Sequence, residues 1–73
     1  MMHEEQDERT IAASVAARLW ASFTPNEKGM VRFGIFPAEK VREGEQEIAH
    51  RDRVRLLAVA LMDCAKNDGG MRA

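Results

Sequence analysis

Apolar positions recur at three- and four-residue steps along most of this chain, the period of a helix that buries one face. From about Glu4 to Phe23 they fall at Ile11, Ala12, Val15, Ala16, Leu19, Trp20 and Phe23. The opposite side carries only small residues: Thr10, Ala13, Ser14, Ala17 and Ala21. Thr24-Pro25-Asn26-Glu27 reads as a start signal, with Thr24 as cap, Pro25 at the first helical position and Glu27 closing a capping box. The helix that follows is short, reaching about Phe33, and Gly34 suits a left-handed stop. A dense apolar knot surrounds that stop: Met30, Val31, Phe33, Ile35 and Phe36. Phe33 and Phe36 are expected in the core. Pro37 opens a third segment, Ala38 to Glu43, which Gly44 breaks or weakens. The last helix is expected from about Glu45 or Glu47 to Lys66, ended by Asn67-Asp68-Gly69-Gly70. No stretch alternates in the manner of a strand, and no repeat is present.

This pattern predicts an all-α fold. Long N-terminal and C-terminal helices pack antiparallel, with one or two short helices between them. The whole chain, 1–73, reads as a single helical domain, frayed over about 1–8 and 69–73. A domain of 73 residues buries only about 60% of its unfolded surface, so association is a common source of added stability.

The segment Val54 to Ala65 departs from the simple pattern, because it is apolar on two sides. Val54, Leu57, Ala58, Leu61, Cys64 and Ala65 form one stripe. Leu56 and Val59 fall opposite, among Asp52, Arg55, Asp63 and Lys66, with Met62 on the flank. A surface helix needs one apolar stripe, and a second implies a neighbour or another chain. Leu56, Val59 and Met62, joined by Met30 and Ile35 from the knot, are therefore the expected partner-binding residues. The partner is another protein, and a second copy of the chain is one candidate.

Charge narrows the partner class. The formal net charge is −1, and acidic residues flank every basic cluster. Arg51, Arg53 and Arg55 are interrupted by Asp52. Nucleic-acid affinity rests on several cations meeting phosphates together, so the balance is against DNA. The alternative reading is a helix-turn-helix-like regulator, with Lys28 to Glu43 as the motif and Ala38 to Glu47 as the reading helix. That helix is net acidic, and Met30 stands where a small residue normally lets the two helices cross.

Candidate chemistry is sparse. Glu47 and His50 have the three-residue helical spacing of a bundle metal ligand pair, without the further carboxylates such a site needs. His50-Arg51-Asp52 spells the kinase tripeptide but lacks the rest of a kinase. Cys64, the only cysteine, lies on the core stripe, which points to an inert thiol and rules out an intrachain disulfide. No catalytic residues, cofactor or metal are expected. Met1 to Arg9 is acidic, unlike a secretory signal, and the longest apolar run, Leu56 to Met62, is far short of the ~20 residues of a membrane span. A cytoplasmic location without membrane association is the corresponding expectation.

Two strings carry a resemblance: Met30-Val31-Arg32-Phe33-Gly34-Ile35-Phe36-Pro37-Ala38-Glu39-Lys40 and Val59-Ala60-Leu61-Met62-Asp63-Cys64-Ala65-Lys66-Asn67-Asp68-Gly69-Gly70-Met71-Arg72. Over about the C-terminal half, the chain resembles small helical proteins of bacterial integrative and conjugative elements, some of which are quorum-sensing antiactivators. That resemblance implies a protein that binds a transcription activator and silences it. It assigns no role to any single residue.

Overall fold

A computed structural model describes residues 3–70, with side chains over 8–68. The fold is all-α. It has four helices: α1 (His3–Ser22), α2 (Pro25–Arg32), α3 (Ala38–Glu45) and α4 (Arg53–Gly70). The largest helix-to-helix contact joins α1 and α4. The short helix α2 packs mainly on α4, and α3 touches both long helices. The fraying expected over 1–8 and 69–73 lies outside the described residues at 1–2 and 71–73, and over 3–8 and 69–70 the backbone is helical.

Local signals explain where the helices stop and start. At the end of α1, the Leu19 carbonyl accepts both the Phe23 N–H at 3.0 Å and the Ser22 hydroxyl at 2.8 Å. The capping box of α2 forms as its sequence requires: Glu27 N–H donates to Thr24 Oγ1 at 3.1 Å, and Thr24 N–H to Glu27 Oε1 at 2.9 Å. Lys40 of α3 reaches that same Glu27 oxygen at 2.9 Å, fastening α3 to the start of α2. The far end of α2 is a Schellman motif. Gly34 has φ 84°. Its N–H bonds the Val31 carbonyl at 2.8 Å, and Ile35 N–H bonds the Met30 carbonyl at 2.9 Å.

The third and fourth helices differ from expectation. Gly44 does not break α3, which continues one residue past it to Glu45. Gly44 is buried, and an added Cβ would lie 2.8 Å from Leu19 Cδ1, 3.0 Å from Val15 Cγ1 and 3.2 Å from Leu57 Cδ2. Its value is closeness of approach. The last helix does not begin at Glu45 or Glu47 either. The chain turns over 46–52, with Glu47 N–H on Gly44 O and Ile48 N–H on Glu45 O, and α4 starts at Arg53. Ile48, fully buried, pins that turn to the core. The expected terminator Asn67-Asp68-Gly69-Gly70 is instead part of the helix, since α4 runs to Gly70.

The core draws on every helix. Ala12, Val15, Ala16 and Phe23 meet Val31, Val41, Ile48, Leu57, Leu61 and Ala65. Leu19, Trp20, Phe36, Leu56, Ala60 and Cys64 pack partly buried around them. Three expected core residues are exposed. Ile11 is exposed beside the buried Ala12. Val54 belongs to the first turn of α4, and the nearest buried aliphatic residue before it is Ile48. Phe33 is 84% exposed. It is the residue after the last turn of α2, two positions beyond the inward-facing Val31 and so about 200° around the helix from it.

Candidate interaction surface

The residues expected to meet a partner divide into two groups. Leu56, Val59 and Met62 line one open groove of ≈1080 Å³, whose opposite wall is the N-terminal half of α1. Met30 and Ile35 do not line it.

Within the groove the three α4 side chains differ. Leu56 is half-buried and leans on the core, which corrects its placement on a free outer stripe. Val59 is 63% exposed and Met62 39%. Ala60 of α4 and Ala12 and Ala13 of α1 complete an apolar floor of small side chains. The polar margin is mixed, with Arg9, Arg32, Arg55 and Lys66 against Glu8, Asp52 and Asp63. Arg32 is already paired, donating to Asp68 Oδ2 at 3.0 Å. Glu8 is the exception among these groups: its Oε1 is buried and has no hydrogen-bond partner.

Met30 and Ile35 are exposed, at 41% and 53%, but they occupy the C3 and C″ positions of the Schellman motif. A hydrophobic contact between those two positions frequently accompanies that motif. Their apolar character thus matches the positions that close the end of such a helix, which periodicity alone does not reveal. The exposed Phe33 lies between them in sequence. The signal that identifies the motif was available in the string Met30 to Ile35: a helix end followed by glycine, with apolar residues at both flanking positions.

The basic residues of α2 and the aromatic residues at the end of α1 are tied together. Lys28 Nζ lies 5.5 Å and Arg32 Cζ 5.9 Å from the centre of the Trp20 ring, and Trp20 meets Phe23 edge to face at 6.1 Å. Lys40 Nζ stands 5.7 Å from the Phe23 ring while it pairs with Glu27. The Lys40 ammonium, helped by the Thr24 backbone N–H, holds the Glu27 carboxyl below its ordinary value.

The geometry bears on the other chemistries as follows. Glu47 and His50 lie in the turn before α4, so the helical spacing that would have paired them as ligands is absent, and Glu47 is bound to Arg18. His50 instead shapes the start of α4: its Nδ1 accepts from Asp52 N–H at 3.0 Å and its carbonyl from Arg53 N–H at 3.1 Å. Among the described residues, no three His, Cys, Asp or Glu side chains converge as a metal site would require. Cys64 is half-buried, and burial, followed by the charge of Asp63, pushes its thiol above the ordinary value. A thiol shifted that way stays protonated at neutral pH and is a poor nucleophile. The two short helices α2 and α3 meet through the Glu27–Lys40 ion pair with little backbone contact, unlike the closely crossed helices of a helix-turn-helix. Among the described residues no helix is long and apolar enough to cross a membrane.

Comparison with protein-family models, with curated proteins and with solved structures gives no match.

Proposed function

We propose that this chain is a small regulatory protein that sequesters another protein through the groove between α1 and α4, acting as an antiactivator of a transcription activator. The observation that carries the reading is Val59. It is an aliphatic side chain in the middle of the longest apolar run, 63% exposed at a groove whose floor is apolar. Scattered exposed aliphatic residues are ordinary on a protein surface, whereas several grouped in one concavity mark an interaction site. Leu56 and Met62 supply the grouping. Leu56 anchors the floor to the core, so the groove is held in shape before anything binds.

Sequestration would work by occupancy. An activator segment held in the groove is withdrawn from dimerisation, DNA or polymerase, and no covalent step is needed. The resemblance to small proteins of mobile elements supports a transcription activator as the partner. Capture from the native host, using the wild-type chain and Val59→Asp as baits, tests the reading. A transcription factor retained by the first and lost by the second supports it. Recovery of no transcription factor, or equal recovery by both baits, refutes it.

A further inference from the structure

The side chains that α4 lends to the groove form a palindrome centred on Val59. Leu56 and Met62 stand three residues from it on either side, Arg55 and Asp63 four, and Asp52 and Lys66 seven. Each step outward sets apolar against apolar, or one charge against its opposite. All of these positions lie within about 60° of Val59 around the helix axis, so they share one face. Asp52 stands at the start of that face, its carbonyl accepting the Leu56 N–H at 2.9 Å. The ion pairs among the described residues are Arg18–Glu47, Arg32–Asp68 and Lys40–Glu27, which leave Asp52, Arg55, Asp63 and Lys66 exposed and unpaired.

We infer that a second copy of this chain covers the groove, with the two α4 helices packed antiparallel about a two-fold axis at Val59. In such a pair each residue meets the one equally far from the axis on the other copy, and every contact occurs twice. Val59 then meets Val59, Leu56 meets Met62, Arg55 meets Asp63 and Asp52 meets Lys66. The apolar strip is short, so the four charges fix the register. Centring the pair on Leu56 instead sets all four opposite uncharged residues: Ala60, Leu57, Ala49 and Gln46. The small side chains of Ala13 and Ala60 leave room for a second helix to approach closely. A net charge of −1 gives two copies little reason to repel, and a domain this small gains stability from the added burial. The dimer does not depend on the sequestration reading, with which it shares the groove: a captured host protein would have to displace the second copy.

The test is sedimentation equilibrium of the full chain over a concentration series, for the wild type, Arg55→Asp, Asp63→Arg, the double variant and an equal mixture of the two single variants. The wild-type mass should rise from one chain to two with concentration. Each single variant sets like charges against each other at both crossings and should stay at one chain. The mixture sets an aspartate of one copy against an arginine of the other at both crossings, and should return to two chains. The double variant restores both pairs with the signs exchanged and should also dimerise, which separates lost association from lost folding. A wild type that stays at one chain, single variants that dimerise as it does, or a mixture and double variant that both remain single overturns the inference. A mass that climbs past two chains signals open head-to-tail association and overturns it as well.

Discussion

Gly29 and Gly44 offer two chemically identical substitutions with opposite expected signs. Both are helical, neither has a left-handed φ, and in each case alanine gains about 1 kcal/mol of helix propensity over glycine. At Gly29 an added Cβ meets nothing within 4 Å, so Gly29→Ala should stabilise by about 0.5–1 kcal/mol. At Gly44 the same methyl sits 3.0 Å from Val15 Cγ1 and 2.8 Å from Leu19 Cδ1. Leu19 is only half-buried and can swing away, but Val15 is β-branched and buried, and Leu57 is fully buried. Overpacking of this kind costs about 1–3 kcal/mol, which outweighs the propensity gain and leaves Gly44→Ala destabilised by about 1 kcal/mol. The two variants should therefore differ by about 2 kcal/mol, enough to separate their melting temperatures by roughly 10 °C in a domain of this size. Urea titration followed by circular dichroism at unchanged m-value measures both. Val15→Ala combined with Gly44→Ala should recover part of the loss, as expected of coupled neighbours. Equal shifts from the two glycine substitutions would refute the close meeting of α1, α3 and α4.

The remaining expectations concern the groove and the two ends of α2. Val59→Asp should change stability by no more than about 0.5 kcal/mol and Leu61→Asp should cost several, with Leu56→Asp between them, all read from thermal melts. A Val59→Asp variant that unfolds like Leu61→Asp would place Val59 in the core. Gly34→Ala should lose about 1 kcal/mol, since its left-handed φ of 84° disfavours any L side chain, and an unchanged melting temperature would contradict the Schellman end. Glu27 has a folded-state pKa below its ordinary 4.5, so its ion pair and cap stabilise the fold above the unfolded value and are lost as pH falls through the folded one. The stability gap between the wild type and Glu27→Gln should accordingly narrow as pH drops from about 6 towards 3, and a gap independent of pH would dismiss the carboxylate as its source.

Much of the fold was legible because local chemistry and burial agree there. The capping box at Thr24 and Glu27 and the left-handed stop at Gly34 depend on residues within a few positions, and both form as their sequences require. The boundaries of α3 and α4 were less legible because distant residues decide them. Gly44 looks like a breaker in sequence, yet what selects glycine is the proximity of Val15, Leu19 and Leu57, none within ten residues of it. Val41 and Ile48 are core residues that periodicity did not pick out. Each is an isolated aliphatic flanked by charged or small residues, in Lys40-Val41-Arg42 and Glu47-Ile48-Ala49. Burial of Ile48 requires the chain to turn at 46–52, and that turn delays the start of α4 to Arg53.

The groove was legible only in part, for a related reason. A helical wheel gives the angle of a side chain about its own axis but not the position of the neighbouring helix. Leu56 and Val59, three residues and about 300° apart, are therefore adjacent on the wheel and look equivalent. In the folded chain Leu56 is packed against the core, while Val59 is left at the opening. That difference gives the two residues separate tasks: Leu56 fixes the floor, and Val59 and Met62 present the apolar surface above it. Glu8 could not be singled out at all, since in sequence it is one acid among Glu4, Glu5 and Asp7. Its distinction arises when α1 lies against α4, and one carboxylate oxygen is buried without a donor in the wall of a groove already lined with apolar side chains.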